Sequence, residues 1–280
     1  MMATPKVYHR PKTLAEALNL AVQPGSAALA GGAATFDRLD AAMDIFIDLQ
    51  AVPELKGIER HEGGWLVGGA CRLEQIVELA GLPETLRRAL TRAVPVNLRN
   101  GTSAAESLLR PAYFGEWVAV LAALDAGVRR ALPGGQTETF SITETALVEG
   151  GSRNLADGIL TGLFIPALKA GEALEAAFVA RTPADAPIVS AAVFVRVDGR
   201  GSVETAFAAL HGVSAAPALN VHLPVLQGRA LDEPSIAAAA RLAAEGLTPV
   251  SDYRGSAAYR TAMASILARR ALEACRESLS

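Results

Sequence analysis

Cysteine is nearly absent from this chain: Cys71 and Cys275 are the only two in 280 residues. Two thiols build neither a disulfide framework nor a cluster site, which usually takes four thiolates. A strong charge of one sign is also lacking. The formal net charge is −3, with no Lys/Arg-rich run, which argues against nucleic acid as a main partner. Arg87, Arg88 and Arg92 are the densest basic group, and on a helix they read as a solvated face. No stretch approaches the roughly 18 uninterrupted apolar residues of a membrane span. The alanine-rich segment 236–244 is too short and carries Arg241. Residues 1–10 contain Pro5 and charges and lack the apolar core of a signal peptide, which points to a cytoplasmic protein. The histidines His9, His61, His211 and His222 are scattered, without acidic or cysteine neighbours at metal-ligand spacing. A Gly-x-Ser-x-Gly elbow is missing too; Gly150-Gly151-Ser152-Arg153 comes nearest and reads as a loop.

What is present suits a globular chain. Half of it is apolar (51%) and a fifth charged (20%), enough for a sizeable core and two or three domains. Thr13-Leu14-Ala15-Glu16 is a capping box, and Leu14, Ala17, Leu18 and Ala21 form the helical stripe behind it, ended by Pro24-Gly25. Residues 27–30 read as a strand feeding Gly31-Gly32, and 45–49 as a buried strand. A hairpin over 58–70 turns at Gly63-Gly64. Short helices follow over 73–80 and 83–93, then an apolar helix or strand-flanking element over 117–126. Strands over 127–131 and 138–142 flank Pro133-Gly134-Gly135, and another covers 160–165. From about Phe178 a third pattern begins. Strands over 188–197 and 203–210 meet at Asp198-Gly199-Arg200-Gly201, and helices over 235–245 and 256–277 follow. The last is amphipathic through Tyr259, Met263, Ile266, Leu267 and Arg270. The expectation is an α+β chain divided into 1–55, 56–170 and 171–280.

The candidate chemistry begins at Ala30-Gly31-Gly32-Ala33-Ala34. Glycine permits φ > 0 and close backbone approach, so N–H groups after a strand can cradle a pyrophosphate without Lys or Arg. A plain turn is the other reading of an isolated Gly-Gly pair. Cys71 reads as a small buried hydrophobe.

The stretch Arg99-Asn100-Gly101-Thr102-Ser103-Ala104-Ala105-Glu106, taken with Ala30-Gly31-Gly32-Ala33, resembles the two dinucleotide-binding loops of the flavin (medium) subunits of molybdenum hydroxylases, the xanthine dehydrogenase and carbon monoxide dehydrogenase family. Asp48-Leu49 with Pro53-Glu54-Leu55, Trp65-Leu66-Val67-Gly68-Gly69-Ala70 and Leu124-Asp125-Ala126 look like further family segments, in order. So do Ser251-Asp252-Tyr253-Arg254-Gly255-Ser256, Tyr259-Arg260 and Arg269-Arg270-Ala271-Leu272. The resemblance implies a two-part FAD-binding module, a small α/β unit plus a mainly antiparallel sheet unit. A C-terminal α/β domain with a meander sheet and helices would follow. It also implies FAD held by Ala30, Gly31, Gly32, Ala33, Ala34, Gly101, Thr102, Ser103, Ala104 and Ala105, with no catalytic or metal-binding residue on this chain. Partners would be a molybdopterin-binding large subunit and an iron–sulfur ([2Fe-2S]) small subunit. Electrons would pass from the clusters to an external acceptor.

The second loop departs from the family pattern. Ser103-Ala104-Ala105-Glu106 stands where Ile-Gly-Gly-Asn is usual, and the loop is one residue shorter. A φ > 0 angle at either alanine costs about 1 kcal/mol or more, and Glu106 adds a negative charge. Two outcomes stand open. Residues 102–107 re-form the nest and FAD binds with altered contacts, or the subunit has lost FAD and serves as a structural or docking component. Tyr253 and Arg254 either reach toward the flavin or tie the third unit to the second.

Overall fold

The computed structural model describes residues 6–31, 43–109, 111–182 and 185–280. Among them the chain forms three sheets in sequence order. The first unit holds β1 (Val7–His9), α1 (Leu14–Ala21), β2 (Ser26–Leu29) and β3 (Ile45–Asp48), with the strands parallel in the order β1-β3-β2. The cap of α1 departs slightly from a reciprocal box. Thr13 Oγ1 accepts the Glu16 amide at 3.2 Å, but Glu16 accepts the Lys12 amide at 2.9 Å. The helix buries Ala17 and Leu18, the face its stripe predicted.

The second unit opens with β4 (Ile58–His61) and β5 (Gly64–Gly68), the expected hairpin, with Gly63 at φ 81° in its turn. Five helices follow: α2 (Leu73–Val77), α3 (Glu84–Ala93), α4 (Val96–Gly101), α5 (Ala104–Leu109) and α6 (Pro111–Ala123). The strands β6 (Gly127–Ala131), β7 (Thr137–Ser141) and β8 (Ile159–Pro166) complete an antiparallel sheet in the order β4-β5-β8-β6-β7. Sequence reasoning left the apolar run after Gly115 ambiguous. It is helical to Ala123, and Trp117 through Ala123 are essentially inaccessible to solvent, as a helix apolar all round must be. Asp125 ends it at φ 54°, with its amide on Ala122 O and that of Ala126 on Leu121 O, a Schellman cap built on Asp in place of the usual Gly.

The third unit holds β9 (Glu172–Val179), β10 (Val189–Val197), β11 (Val203–His211) and β12 (Leu219–His222), antiparallel in the order β12-β11-β10-β9, then α7 (Glu233–Ala243) and α8 (Ala257–Ser278). The two-residue period of a strand divides the work of β10. Val189, Ala191, Val193 and Val195 join the core under α7 and α8, while Ala192 joins the core around α6. The same α6 core includes Ala17 and Ile47 of the first unit, so the first two sheets share one hydrophobic interior.

A close contact fixes the third sheet on α6. The helix is interrupted at Phe114 (φ −122°, ψ 22°), and a methyl group added to the next residue, Gly115, would stand 2.0 Å from His211 Cε1. His211 Nδ1 lies 2.8 Å from Pro217 O. Burial, aided by repulsion from Arg254 and Arg260, pushes the His211 imidazole below its ordinary pKa.

The mixed helix-and-sheet architecture agrees with the α+β expectation. Three strands, β1, β9 and β12, were not anticipated, and the segment read as a second loop is largely helical. No helix among the described residues is long and apolar enough to cross a membrane.

Candidate functional site

The first loop leaves the C-terminal end of β2, where a parallel α/β sheet commonly presents ligand sites. Ala30 is buried, and Gly31 O accepts Gln50 Nε2 at 2.9 Å. Gln50 is positioned by the Asp48-Leu49 segment. Asp48 accepts the Gln50 amide at 2.9 Å and the Tyr8 hydroxyl at 2.8 Å, with Arg10 Nε 3.4 Å away. Gln50 Oε1 in turn accepts Arg72 Nη2 at 2.8 Å, and Arg72 Nη1 donates to Gly101 O at 2.8 Å. A continuous hydrogen-bonded path, Gly31–Gln50–Arg72–Gly101, therefore joins the two predicted loops. Gly32, Ala33 and Ala34, the rest of the first predicted loop, lie outside the described residues.

The second loop is built differently from the expectation. Arg99 is buried, paired with Glu74 and donating to Val94 O at 2.5 Å, so it anchors α4. Thr102 separates α4 from α5, and Ser103 opens α5. Glu106 donates its amide to Ser103 Oγ at 3.2 Å while its carboxylate accepts the Ser103 amide over a long 3.4 Å contact. Ser103-x-x-Glu106 is therefore a reciprocal capping box, the motif that opens a helix.

The remaining amides are also taken. Thr102 donates to Leu98 O at 2.8 Å, Ala104 to Cys71 O at 2.8 Å, Ala105 to Gly69 O at 2.9 Å and Ser107 to Ser103 O at 3.0 Å. Gly69 is a glycine because β8 lies against it: an added methyl would stand 2.1 Å from Leu160 O. Thr102, Ser103, Ala104 and Ala105 are all buried, and only Gly101 of the five predicted residues here keeps some exposure. Of the two outcomes left open for residues 102–107, the backbone forms a helix start and not a re-formed nest. Helical backbone places no φ > 0 demand on Ala104 or Ala105, so the strain foreseen for them does not arise.

Glu106 turns inward and is 3% exposed. A methyl at Gly31 would stand 1.9 Å from Glu106 Oε2 and 2.8 Å from Gly101 O. Gly31 is therefore a point of close approach, as expected, but the group approaching it is this chain's own carboxylate. Beside it lies a cavity of about 330 Å³, lined by Ala28, Ala30, Leu49, Ala105, Glu106 and Leu160 among others. That volume sits at the low end of the ~300–1,000 Å³ common for small-molecule sites.

Gly31, the last described residue of the first loop, lies beside both the second loop and the cavity. A pyrophosphate, however, needs amides free to point at it. The amides from Thr102 to Ser107 already have acceptors, and Glu106 fills the space before Gly31. The second loop as folded does not fit a pyrophosphate.

Sequence reasoning did not single out Gln50 and Arg72, lone polar residues in connecting segments that carry no local pattern. The inward Glu106 did have a signal, the S-x-x-E spacing from Ser103. In the third unit, Tyr253 is 87% exposed and Arg254 pairs with Asp252. Arg260, in contrast, is buried and donates to Ile188 O, Gly212 O and Asp252 Oδ1 at 2.7, 2.9 and 2.7 Å. Burial opposes the charge of Asp252, but Arg260 and the Arg254 and Gly255 amides outweigh it and hold its carboxyl far below the usual range.

Two family models together match most of this chain. One, described as the FAD binding domain in molybdopterin dehydrogenase, covers residues 2–168. The other, the CO dehydrogenase flavoprotein C-terminal domain, covers residues 177–275. The chain belongs to the FAD-binding subunit family of the molybdenum hydroxylases. The family is one of oxidoreductases, and FAD is the cofactor its domain is named for. The carbon monoxide dehydrogenase medium chain of Afipia carboxidovorans is 29% identical over 282 residues, covering 95% of each chain. A carbon monoxide dehydrogenase from Hydrogenophaga pseudoflava, lacking the Mo-pyranopterin moiety, shares the fold over 100% of both chains, with a TM-score of 0.87 at 24% identity. Quinoline 2-oxidoreductase from Pseudomonas putida 86 aligns with a TM-score of 0.84 at 26% identity, over 100% of this chain and 99% of that one.

Proposed function

We propose that this chain is the medium subunit of a heteromeric molybdenum hydroxylase of the carbon monoxide dehydrogenase type. It would stand at the electron-transfer position between an iron–sulfur small subunit and an external acceptor, with molybdopterin on a large subunit. A cytoplasmic location and a division near residues 55 and 170 belong to the same reading. The observation that carries it is the pair of family matches, in order and covering nearly the whole chain, on a fold that aligns throughout with subunits of such enzymes. The two buried cysteines sit in separate cores, Cys71 just after β5 and Cys275 on the buried face of α8, and so cannot form a shared cluster site on this chain. The residues that follow the family pattern act here as positioning groups. Asp48 orients Gln50, Arg99 fixes α4, and Arg260 ties the start of β10 to the turn before α8.

A second reading, a subunit that keeps its docking role without flavin, draws on one observation: the self-bonded second loop. Affinity purification of the tagged chain from its native cells tests the first reading. Two further polypeptides should co-purify, with molybdenum and iron in the eluate. A chain recovered alone, with neither metal, would overturn it. Flavin content of the same complex separates the two readings.

A further inference from the structure

We infer that Glu106 determines whether this cleft accepts a dinucleotide: its carboxylate occupies the gap between Gly31 and Ser103, and FAD binds only by displacing it. The inference rests on the medium-subunit reading for the identity of the ligand, and on this chain's own geometry for the obstruction.

Three observations carry it. First, Glu106 Oε2 lies so near Gly31 that even a methyl group there would stand 1.9 Å from it. A dinucleotide's phosphate oxygens and this carboxylate are both anionic acceptors, so they cannot share that space. Second, the side chain is held in place. Its backbone and carboxylate are both engaged with Ser103, and it is 3% exposed. Third, the loop has no easy alternative conformation. Ala104 and Ala105 are buried at 0% and 5% exposure, and their amides bond to Cys71 O and Gly69 O, so rotating α5 would unpack the core and break two further hydrogen bonds. Glycines in those places would carry no methyl groups to anchor the loop. The carboxylate thus serves as an internal counterpart of the phosphate bridge, and the path through Gln50 and Arg72 closes the two loops without a ligand.

The test compares wild type, Glu106→Ala and Glu106→Gln, each purified in complex with its partner subunits, equilibrated with excess FAD and desalted. Flavin per chain is read by absorbance, and the melting temperature is recorded with and without FAD, since a ligand that binds only the folded state raises it. Wild type should retain the least flavin of the three and show the smallest shift. E106A should retain at least tenfold more and melt higher with FAD, and E106Q, which keeps the side-chain length and the cap, should gain less than E106A. Should E106A lose its melting transition, Glu106→Asp replaces it, because the shorter side chain withdraws the carboxylate from Gly31. One tightly held flavin per wild-type chain, with no gain on substitution, would overturn the inference. So would a folded E106A or E106D that binds no more flavin than wild type. Partner co-purification is scored separately, so loss of the subunit reading is distinguishable from loss of this one.

Discussion

Glu106 in the cleft and Arg260 in the third unit are both buried charged side chains that bond to backbone, and they do so with opposite consequences. Arg260 donates to carbonyls at two strand ends: Ile188 O just before β10 and Gly212 O just after β11. Without it, both carbonyls lose this donor and Asp252 loses its ion pair with Arg260, keeping only the Arg254 and Gly255 donors. Glu106 serves a loop in which most amides already have carbonyl partners, and its added role is to fill space before Gly31. One residue of the family pattern therefore holds the fold together, whereas a departure from that pattern closes the site. Stability should be sensitive to the first and ligand binding to the second.

Replacing Arg260 gives the largest expected loss. Arg260→Met should destabilise the chain by about 3 kcal/mol, the lower end of the ~3–5 range for breaking a buried pair. The lower end applies because the Asp252 side chain remains a third exposed and can be solvated. Urea denaturation at neutral pH measures it. A loss below about 1 kcal/mol would mean that water replaces the guanidinium, and the contrast with Glu106 would fail. Gly115→Ala comes next. Glycine to alanine in a helix normally gains up to ~1 kcal/mol, but here the methyl meets His211 and should cost about 1–3 kcal/mol by overpacking. The sign alone decides this one.

A smaller effect tests the capping box. Ser103→Ala and Glu106→Ala should each cost about 1 kcal/mol. The double variant should lose less than the sum, because each removes a partner of the other. Strict additivity would show that the box contributes no coupling.

The smallest effect is a pH dependence. The folded His211 imidazole titrates below its ordinary value of about 6.5. Between the two values the unfolded chain binds more protons, so stability is complete above about pH 6.5 and falls as the pH drops through that window, levelling off below the folded value. Melting temperatures at pH 7.5 and 5.5 should show the fall, and His211→Asn should flatten it. An unchanged slope in that variant would assign the acid sensitivity elsewhere.

How much of this was legible in the sequence differs between the same regions. The hairpin at Gly63-Gly64, the cap at Thr13 and the closing helix follow from local pattern. Strand β9 does not: Glu172–Val179 reads Glu-Ala-Leu-Glu-Ala-Ala-Phe-Val, rich in helix formers, and becomes a strand through pairing with β10 and cover from α8. Short β1 and β12 offer too few residues to show a period. In the cleft, Asp48-Leu49 and Arg99-Asn100 located the right segments. The sequence left open whether residues 102–107 re-form a nest, although Ser103-x-x-Glu106, the spacing of a capping box, was a local signal for a helix start. Nothing local could have shown Gln50 and Arg72 joining the loops, since their partners Gly31 and Gly101 lie far along the chain.

The central claim is that the second loop's amides are bonded within the protein and not free for phosphate. Amide hydrogen exchange of the flavin-free chain tests it residue by residue. The account predicts that Ala104 and Ala105 exchange as slowly as the paired amides of β5 and β8. Exchange at the rate of an open surface loop would show that the loop is an unoccupied nest and would contradict the account.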